Sequence, residues 1–334
     1  MLYNDYEHFI NKIVWFIPSK KHRDNFRKIL YDMVNSMYRL EYIANQINLK
    51  NYDKGNVIIC SSGGLADQFW HYILGESIKR NYDFNVKYDN TWFRTVHKDY
   101  YKKEDRHFEL LKLCPDISYD IASEEELFFY KANFNNFNNM LKGYITNEDL
   151  NYILQTKKNV YIECYPKKDI NADDIVKNID LDKYHFKSLK GENLLLYNEL
   201  KNNFSISVHA RLGDVNVMDT FRSIFNSDYS EYADYFIKSI NYIYNKFKDN
   251  NPKFFFFSND INWVNNNIIS KLGKNILYKV SEEKNPPHLD VYLISIAKHQ
   301  IISLGGFASL AGLFNKNTNK IIIKPSDFQS FKNS

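Results

Sequence analysis

The feature that most limits the fold is a regular alternation of apolar runs and helical patterns from Asn203 onward. Each apolar run is short, and a helical pattern follows it before the next run; the predicted strands lie at 205–210, 253–258, 276–280, 300–304 and 320–324. Strands that are apolar throughout are typical of parallel sheets with helices on both faces. The alternation therefore predicts a doubly wound α/β domain.

A similar unit opens the first half of the chain. The apolar run at 57–60 leads into a Ser-Ser-Gly-Gly turn, and a helical pattern runs from Phe69 toward Arg80. Glycines at such a turn let backbone N–H groups approach a ligand. Further strands are predicted at 84–88 and 158–164, so we expect two Rossmann-like domains facing a central cleft. The predicted domains are a helical appendage (1–54), an N-terminal domain (55–200) and a C-terminal domain (201–334).

Charge and cysteine content exclude several classes of protein. The chain has 44 Lys and Arg against 40 Asp and Glu, a formal charge of +4, which does not favour nucleic-acid binding. Its three cysteines are odd in number and widely spaced, which indicates a reduced compartment without a disulfide framework or zinc site. No signal peptide or run of about 18 apolar residues is present, so we expect a cytoplasmic protein.

The N-terminal appendage has a basic and apolar character of its own. Lysines and arginines follow Ser19, a candidate N-cap, and apolar residues from Phe26 to Leu40 recur at helical spacing. Such a helix could contact the inner membrane peripherally through residues 10–40, on the cytoplasmic face. It could equally pack on the domain that follows, with its lysines in solvent.

Chemistry-bearing residues collect where predicted strands end. His209, Arg211 and Asp214 follow the strand at 205–210, at the edge where open α/β sheets bind ligands. The amides around Gly305 and Gly306 lie between a strand and a helix, which is a favourable place for phosphate, and Arg211 could meet the same phosphate. The alternative is an ordinary strand end with a salt-bridged Arg–Asp pair.

Four segments resemble the α-1,2-fucosyltransferases of glycosyltransferase family 11. GGLADQFWHYILG is similar to the family's GGLGNQxFQYAxG, VHARLGD to HxRRGD and FFFFSNDINWV to FxIFSDDxxWV. DVYLISIAKHQIISLGGFASLAGLFN is similar to DLxLMxxCKHxIIxNSSFSWWGAWLN. The matches follow the family's order and cover residues 57–325. The resemblance implies a GT-B fold and inverting transfer from GDP-L-fucose to a galactose-type hydroxyl of a surface glycan, as in a galactoside 2-alpha-L-fucosyltransferase, without a metal or other cofactor.

Site residues follow from these motifs position by position. The resemblance implies catalytic roles for His209, Arg211 and Asp214, with Arg211 on the donor diphosphate. Asp219, eight residues after Arg211, is a candidate base, although it could instead cap a helix near Thr220. The remaining candidates are expected to bind the donor: Gly63, Gly64, Asp67, Gln68, His71, Ser258, Asp260, Gly305, Gly306, Phe307 and Ser309.

Several positions depart from the family motifs and keep other functions open. Leu212 replaces the second Arg of HxRRGD, Asp67 replaces an Asn, and Leu304-Gly305-Gly306 replaces Asn-Ser-Ser. These changes bear on the donor sugar and the linkage. The alternatives are a related GT-B transferase with another nucleotide sugar, and a non-catalytic homologue that binds nucleotide or glycan. The 258–260 segment could also be a simple helix cap before Ile261.

Overall fold

The computed structural model describes residues 10–49, 55–98, 105–132, 140–156, 159–167, 170–213, 215, 218–281 and 284–328. Asp214, one of the predicted catalytic residues, lies outside the described residues. By backbone contacts the chain divides into two units. The first comprises 1–60, 78–89 and 120–164, and the second 61–77, 90–119 and 165–334. The units are interleaved along the chain, whereas the sequence predicts continuous domains with boundaries at 54/55 and 200/201.

Nine strands are assigned in the described part of the chain, and all belong to two sheets. They are β1 Gly55–Cys60, β2 Phe84–Asp89, β3 Met140–Ile145, β4 Asn159–Pro166, β5 Ser205–Ala210, β6 Lys253–Ser258, β7 Leu277–Val280, β8 His299–Ile301 and β9 Ile322–Ile323.

Helices connect most of these strands, in the order expected of β-α units. They are α1 Lys20–Leu49, α2 Leu65–Asn81, α3 Trp92–Thr95, α4 Leu110–Leu113, α5 Glu124–Ala132, α6 Asn147–Thr156, α7 Asp173–Val176, α8 Leu181–His185, α9 Gly191–Asn202, α10 Asp219–Phe225, α11 Tyr229–Phe247, α12 Ile261–Asn267, α13 Pro287–Ile296 and α14 Gly306–Phe314. Short 3₁₀ turns lie at Phe186–Ser188, Lys248–Asn250, Ile269–Lys271 and Pro325–Asp327.

The first sheet has the order β2-β1-β4-β3, and β1 pairs in parallel with both β2 and β4. The sequence did not predict β3. The glycine at its centre, Gly143, has a φ of +95° and interrupts the apolar pattern of the strand. A glycine inside a short edge strand weakens the periodic signal on which strand prediction depends.

The second sheet has the order β7-β6-β5-β8-β9, and every pair in it is parallel. Its central strand β5 is buried along its whole length, and the helix α11 contributes buried aromatic rings to the same core. The direction of winding changes between β5 and β8, which makes the carboxyl ends of these two strands the topological switch point. The predicted α/β class is confirmed, with parallel strand pairs in both sheets.

The structure also bears on two predictions from the sequence, the absence of a disulfide framework and the absence of a bilayer-crossing helix. Cys60, Cys114 and Cys164 are buried and form no disulfide. Over the described ranges, no helix combines the length and the apolar character needed to cross a bilayer.

A polar cluster in the second unit joins α9 to the start of α13. Asn193 and Asn285 exchange hydrogen bonds of 2.8 and 3.1 Å, and Asn285 also donates to Asp290 at 2.9 Å. Burial raises the pKa of Asp290 to about 6, although the Asn285 hydrogen bond opposes the shift. This carboxyl is therefore protonated in the folded protein at a pH where it would be ionised in the unfolded chain.

We expect Asp290→Asn to flatten the pH dependence of stability. Between about pH 4 and pH 6 the folded state holds a proton that the unfolded state has lost, so the free energy of unfolding falls as the pH rises. The difference between the pKa of Asp290 in the folded and the unfolded state should lower the free energy of unfolding by about 3 kcal/mol between pH 4 and pH 6. Denaturant unfolding at several pH values measures this slope. Asp249→Asn, at an exposed site, serves as control, and an unchanged slope in Asp290→Asn would contradict the assignment.

Candidate active site

The backbone after β5 is fixed by side chains from two other elements. The hydroxyl of Tyr232 on α11 donates to the carbonyl oxygen of Arg211 at 3.1 Å. Asn259, after β6, accepts from the N–H of Leu212 at 2.8 Å and donates to its carbonyl oxygen at 3.0 Å. Arg211 therefore projects from a loop whose main chain is held on both sides.

The first turn of α14 lies against the Arg211 side chain. Gly305, the residue before the helix, has a φ of +95°, and a Cβ there would lie 2.9 Å from Nη1 of Arg211. Gly305 provides no side-chain cap, so the first amides of α14 lack the side-chain acceptor that usually occupies a helix N-terminus. A guanidinium and a helix N-terminus thus converge at the switch point, an arrangement suited to binding an anion.

His209, at the end of β5, packs beside the first turn of α14. Its ring is buried, its Nδ1 lies 2.8 Å from the hydroxyl of Ser303, and its ring centroid is 5.2 Å from that of Phe307 in α14. Burial lowers the pKa of His209 to about 3, and the charge of Arg211 adds to the shift. The imidazole is therefore neutral at neutral pH and positions Phe307 without adding charge.

The N-terminus of α2 reaches the same region within the second unit. A Cβ on Gly306 would lie 3.0 Å from Cβ of Ala66, so the first turns of α2 and α14 approach closely. Asp67 in α2 accepts a hydrogen bond of 2.9 Å from the N–H of Gly64. Gly63 has a φ of +75°, and a Cβ there would lie 2.4 Å from Oδ2 of Asp67. The Gly-Gly turn therefore requires glycine at its first position.

The Asp67 carboxyl has an electrostatic link to Arg211. Burial raises the pKa of Asp67, while the Gly64 N–H and the charges of Arg106 and Arg211 lower it; burial has the largest effect. Asp67, Arg211 and the start of α14 thus form one group of the predicted residues that the structure brings together.

Two residues of α2 that were predicted to bind the donor, Gln68 and His71, are buried and contact other parts of the second unit. Gln68 is fully buried and makes four hydrogen bonds, to the carbonyl oxygens of Gly63 and His107 and from the N–H groups of Glu109 and Leu110. It ties α2 to the segment that begins α4. His71 is buried beside the ring of Tyr165, with centroids 4.7 Å apart, and burial lowers its pKa to about 4.

Other predicted residues lie at the edge of this group or away from it. The Ser258 hydroxyl donates to the carbonyl oxygen of Ala210 at 2.7 Å, and Asp260 caps α12 by accepting from Trp263 N–H at 2.9 Å. These contacts agree with the prediction that the 258–260 segment is a helix cap. Ser309 is exposed on α14. The Asp219 side chain is 97% exposed at the start of α10, 3.4 Å from Arg222.

Sequence reasoning missed several residues that build the site. Tyr232 carries the apolar spacing of a core helix, and nothing in that spacing indicates a bond to the Arg211 carbonyl. Asn259 lies inside a recognised motif, but the amide's two bonds to Leu212 depend on the pairing of β5 with β6. Arg106, whose charge acts on Asp67, and Glu109, whose N–H donates to Gln68, lie in a stretch that has no motif. Burial raises the pKa of Glu109, so this neighbourhood holds a second perturbed carboxyl.

The described part of the chain offers no evident metal centre: no group of three or more His, Cys, Asp and Glu side chains in it is arranged to hold a metal ion. Arg211 and Arg106 contribute positive charge near Asp67.

Solved structures that overlap with this chain include the two that follow. POFUT1 in complex with GDP-fucose overlaps with a TM-score of 0.44 and 10% identity, covering 81% of this chain and 98% of that one. A glycosyl transferase of family 9 from Veillonella parvula overlaps with a TM-score of 0.36 and 9% identity, covering 84% and 88%. No curated protein sequence matches the chain.

Comparison with protein families gives a match over the second half of the chain. The family model described as "Glycosyl transferase family 11" matches residues 193–333, a segment that contains β5, Arg211 and α14. This is the family that the four motifs resemble, so that recognition is confirmed. Residues 193–333 of this chain are thus similar to glycosyl transferase family 11.

Proposed function

We propose that this protein transfers L-fucose from GDP-L-fucose to a galactose-type hydroxyl of a surface glycan, with inversion, α-1,2 linkage and no requirement for a metal. The similarity of residues 193–333 to family 11 supports glycosyl transfer from a nucleotide sugar. The observation that carries the proposal is the position of Arg211 Nη1, 2.9 Å from where a Cβ on Gly305 would lie, because it brings a permanent cation to the N-terminus of α14.

This geometry suits the departure of a nucleoside diphosphate. Glycosyl transfer passes through an oxocarbenium-like transition state, in which negative charge builds up on the leaving group. Arg211 can contact the diphosphate with its two-pronged guanidinium, and the amides of Gly305–Phe307 can contact it from the helix side. With this charge supplied by the protein, leaving-group stabilisation needs no metal.

The proton of the attacking hydroxyl requires a carboxylate, and Asp67 and Asp219 are the candidates. Asp67 is partly buried beside Arg211, and a raised pKa makes its carboxylate a stronger base. Asp219 is highly exposed and paired with Arg222. We therefore favour Asp67. Replacing each by Asn separates them: the base is needed for transfer, whereas GDP should still bind, and transfer lost only in Asp219→Asn would overturn the choice.

A second candidate function keeps the fold and changes the donor sugar. Leu212 replaces the second arginine of the family motif, and its side chain is buried. The site therefore has one cation fewer beside Arg211 than the motif provides, so another GDP- or UDP-sugar is the alternative donor. A non-catalytic homologue would bind the nucleotide and never release it as product, which a turnover assay detects.

Thermal unfolding with nucleotides tests the donor site directly. GDP and GDP-fucose should raise the melting temperature with EDTA present, because a ligand at about 100 times its dissociation constant adds about 2.7 kcal/mol of stability. UDP should have little effect. Arg211→Ala should abolish the shift, whereas Arg80→Ala, an exposed arginine of the other unit, should retain it.

The outcomes of this experiment discriminate between the readings. A rise in melting temperature with UDP-sugars alone, or with GDP-mannose but not GDP-fucose, would favour the second candidate function, in which another nucleotide sugar is the donor. A shift that requires a metal would contradict metal independence. No shift with any nucleotide, in a folded protein, would overturn the assignment.

A further inference from the structure

The N-terminal hairpin, residues 10–34, is a helical turn at 10–14 folded back on the first half of α1. Ile10 and Val14 are buried and anchor its inner side. Arg27 Nε donates to Asn11 Oδ1 at 3.0 Å, and the guanidinium of Arg23 lies 5.6 Å from the ring centroid of Trp15. The hairpin is therefore held by contacts at both ends, and its tip has a defined shape.

Large apolar side chains lie exposed on this hairpin. At the tip, Trp15 is 74% exposed and Phe16 is 85% exposed. Along α1, Phe26, Ile29 and Met33 are 40%, 54% and 57% exposed. Their spacing of three and then four residues places them on one side of the helix, where they form an exposed apolar stripe. Only contact with another surface would remove this stripe from water.

Positive charge surrounds these apolar groups. The hairpin carries six Lys and Arg against two Asp, a net charge of +4, which equals the formal charge of the whole chain. The remaining residues therefore sum to zero, and the excess is confined to this element. At the helical period, Arg23 and Arg27 flank one edge of the apolar stripe, and Lys21 and Lys28 flank the other.

We propose that the N-terminal hairpin docks on the surface of an anionic lipid bilayer, with Trp15 and Phe16 inserted at the level of the head groups. Tryptophan and phenylalanine between cations are typical of helices that lie in the membrane interface, where apolar contact and attraction to anionic lipid add together. Nucleic acid would use the charge but not the apolar stripe.

Vesicle sedimentation of the full chain tests the proposal. We expect binding to phosphatidylcholine vesicles that contain phosphatidylglycerol, no binding to phosphatidylcholine alone, and release at high salt. Lys20→Gln/Lys21→Gln should lower the partition coefficient about 30-fold, since each lysine contributes about 1 kcal/mol near an anionic surface. The matched control Lys271→Gln/Lys274→Gln, exposed lysines of the second unit, should bind as the unmodified protein does.

The aromatic tip is tested in the same assay. Trp15→Ser/Phe16→Ser should also lose binding, whereas Val96→Ser/Leu195→Ser, which removes two exposed apolar side chains elsewhere, should not. Melting temperatures distinguish lost binding from lost folding. Absence of binding to anionic vesicles, or equal loss in both control pairs, would overturn the proposal. A dimer in light scattering that Trp15→Ser/Phe16→Ser dissociates would assign the face to a second copy instead.

This inference is independent of the proposed transferase activity. The tip variants should retain the full GDP-dependent melting shift, because the hairpin belongs to the first unit and the donor site to the second. A protein that binds vesicles without binding nucleotide would retain the membrane assignment and lose the enzymatic one.

Discussion

Arg211→Ala is expected to lower the turnover of nucleotide sugar by about 10²–10³, because removal of one preorganised charge contact to a developing anion typically has this effect. The loss should appear in kcat/KM, since Arg211 contacts the diphosphate of the bound donor as well as the charge that develops on it in the transition state. The turnover of Arg211→Lys should lie between that of the unmodified protein and that of Arg211→Ala, because an ammonium retains the charge and loses the two-pronged geometry. Initial rates of GDP release with acceptor present measure all three proteins.

The fold should survive this change. The loop is held through main-chain atoms, with Tyr232 bound to the carbonyl oxygen of residue 211 and Asn259 bound to the backbone of residue 212. Neither anchor involves the guanidinium. Arg80→Ala, on the exposed end of α2, controls for the general loss of an arginine. A variant Arg211→Ala that is folded and turns over at the original rate would contradict the assigned role.

Gly305→Ala should damage the site through two separate effects. The backbone there has a φ of +95°, which strains a residue with a Cβ by about 1–3 kcal/mol. The new methyl would also lie 2.9 Å from Nη1 of Arg211 and displace the guanidinium. We expect a lower melting temperature together with a loss of turnover approaching that of Arg211→Ala.

A matched control separates strain from displacement. Gly143 on β3 has the same φ of +95°, and a Cβ there would meet nothing within 4 Å. Gly143→Ala should therefore reduce stability and leave turnover unchanged. In addition, Gly305→Ala should reduce turnover little further when Arg211 is already alanine, because the two changes act through one contact. Additive losses in the double variant would show that Gly305 acts by another route.

The sequence predicted those parts of the fold that local patterns encode. The five strands of the second sheet, the helix start after Ser19 and the Gly-Gly turn before α2 all follow from apolar periodicity and turn chemistry. β3 escaped prediction because Gly143 interrupts it. The interleaving of the two units also escaped prediction, because the part of α2 up to Ser77 groups with the second unit through its packing, which the sequence of α2 itself does not indicate.

The candidate site was predictable only in part, for a similar reason. Arg211 and the glycines before α14 stand out because their types suit anion binding at strand ends. Tyr232, Asn259 and Ser303 do not stand out, since a hydroxyl or amide that bonds a distant residue has no mark in its own segment. Asp219 illustrates the converse: its spacing from Arg211 suggests chemistry, while its carboxylate is exposed on a helix start.

The two bonds from Asn259 have a consequence for how such a motif can diverge. They reach only the N–H and carbonyl oxygen of residue 212, so a residue of any type can make them, whereas the Leu212 side chain is buried in the core of the second unit. A leucine at this position therefore keeps the main-chain anchor of the loop, while the core limits the volume and polarity of the side chain. Divergence at residue 212 is thus restricted by packing and not by the hydrogen bonds that hold the loop.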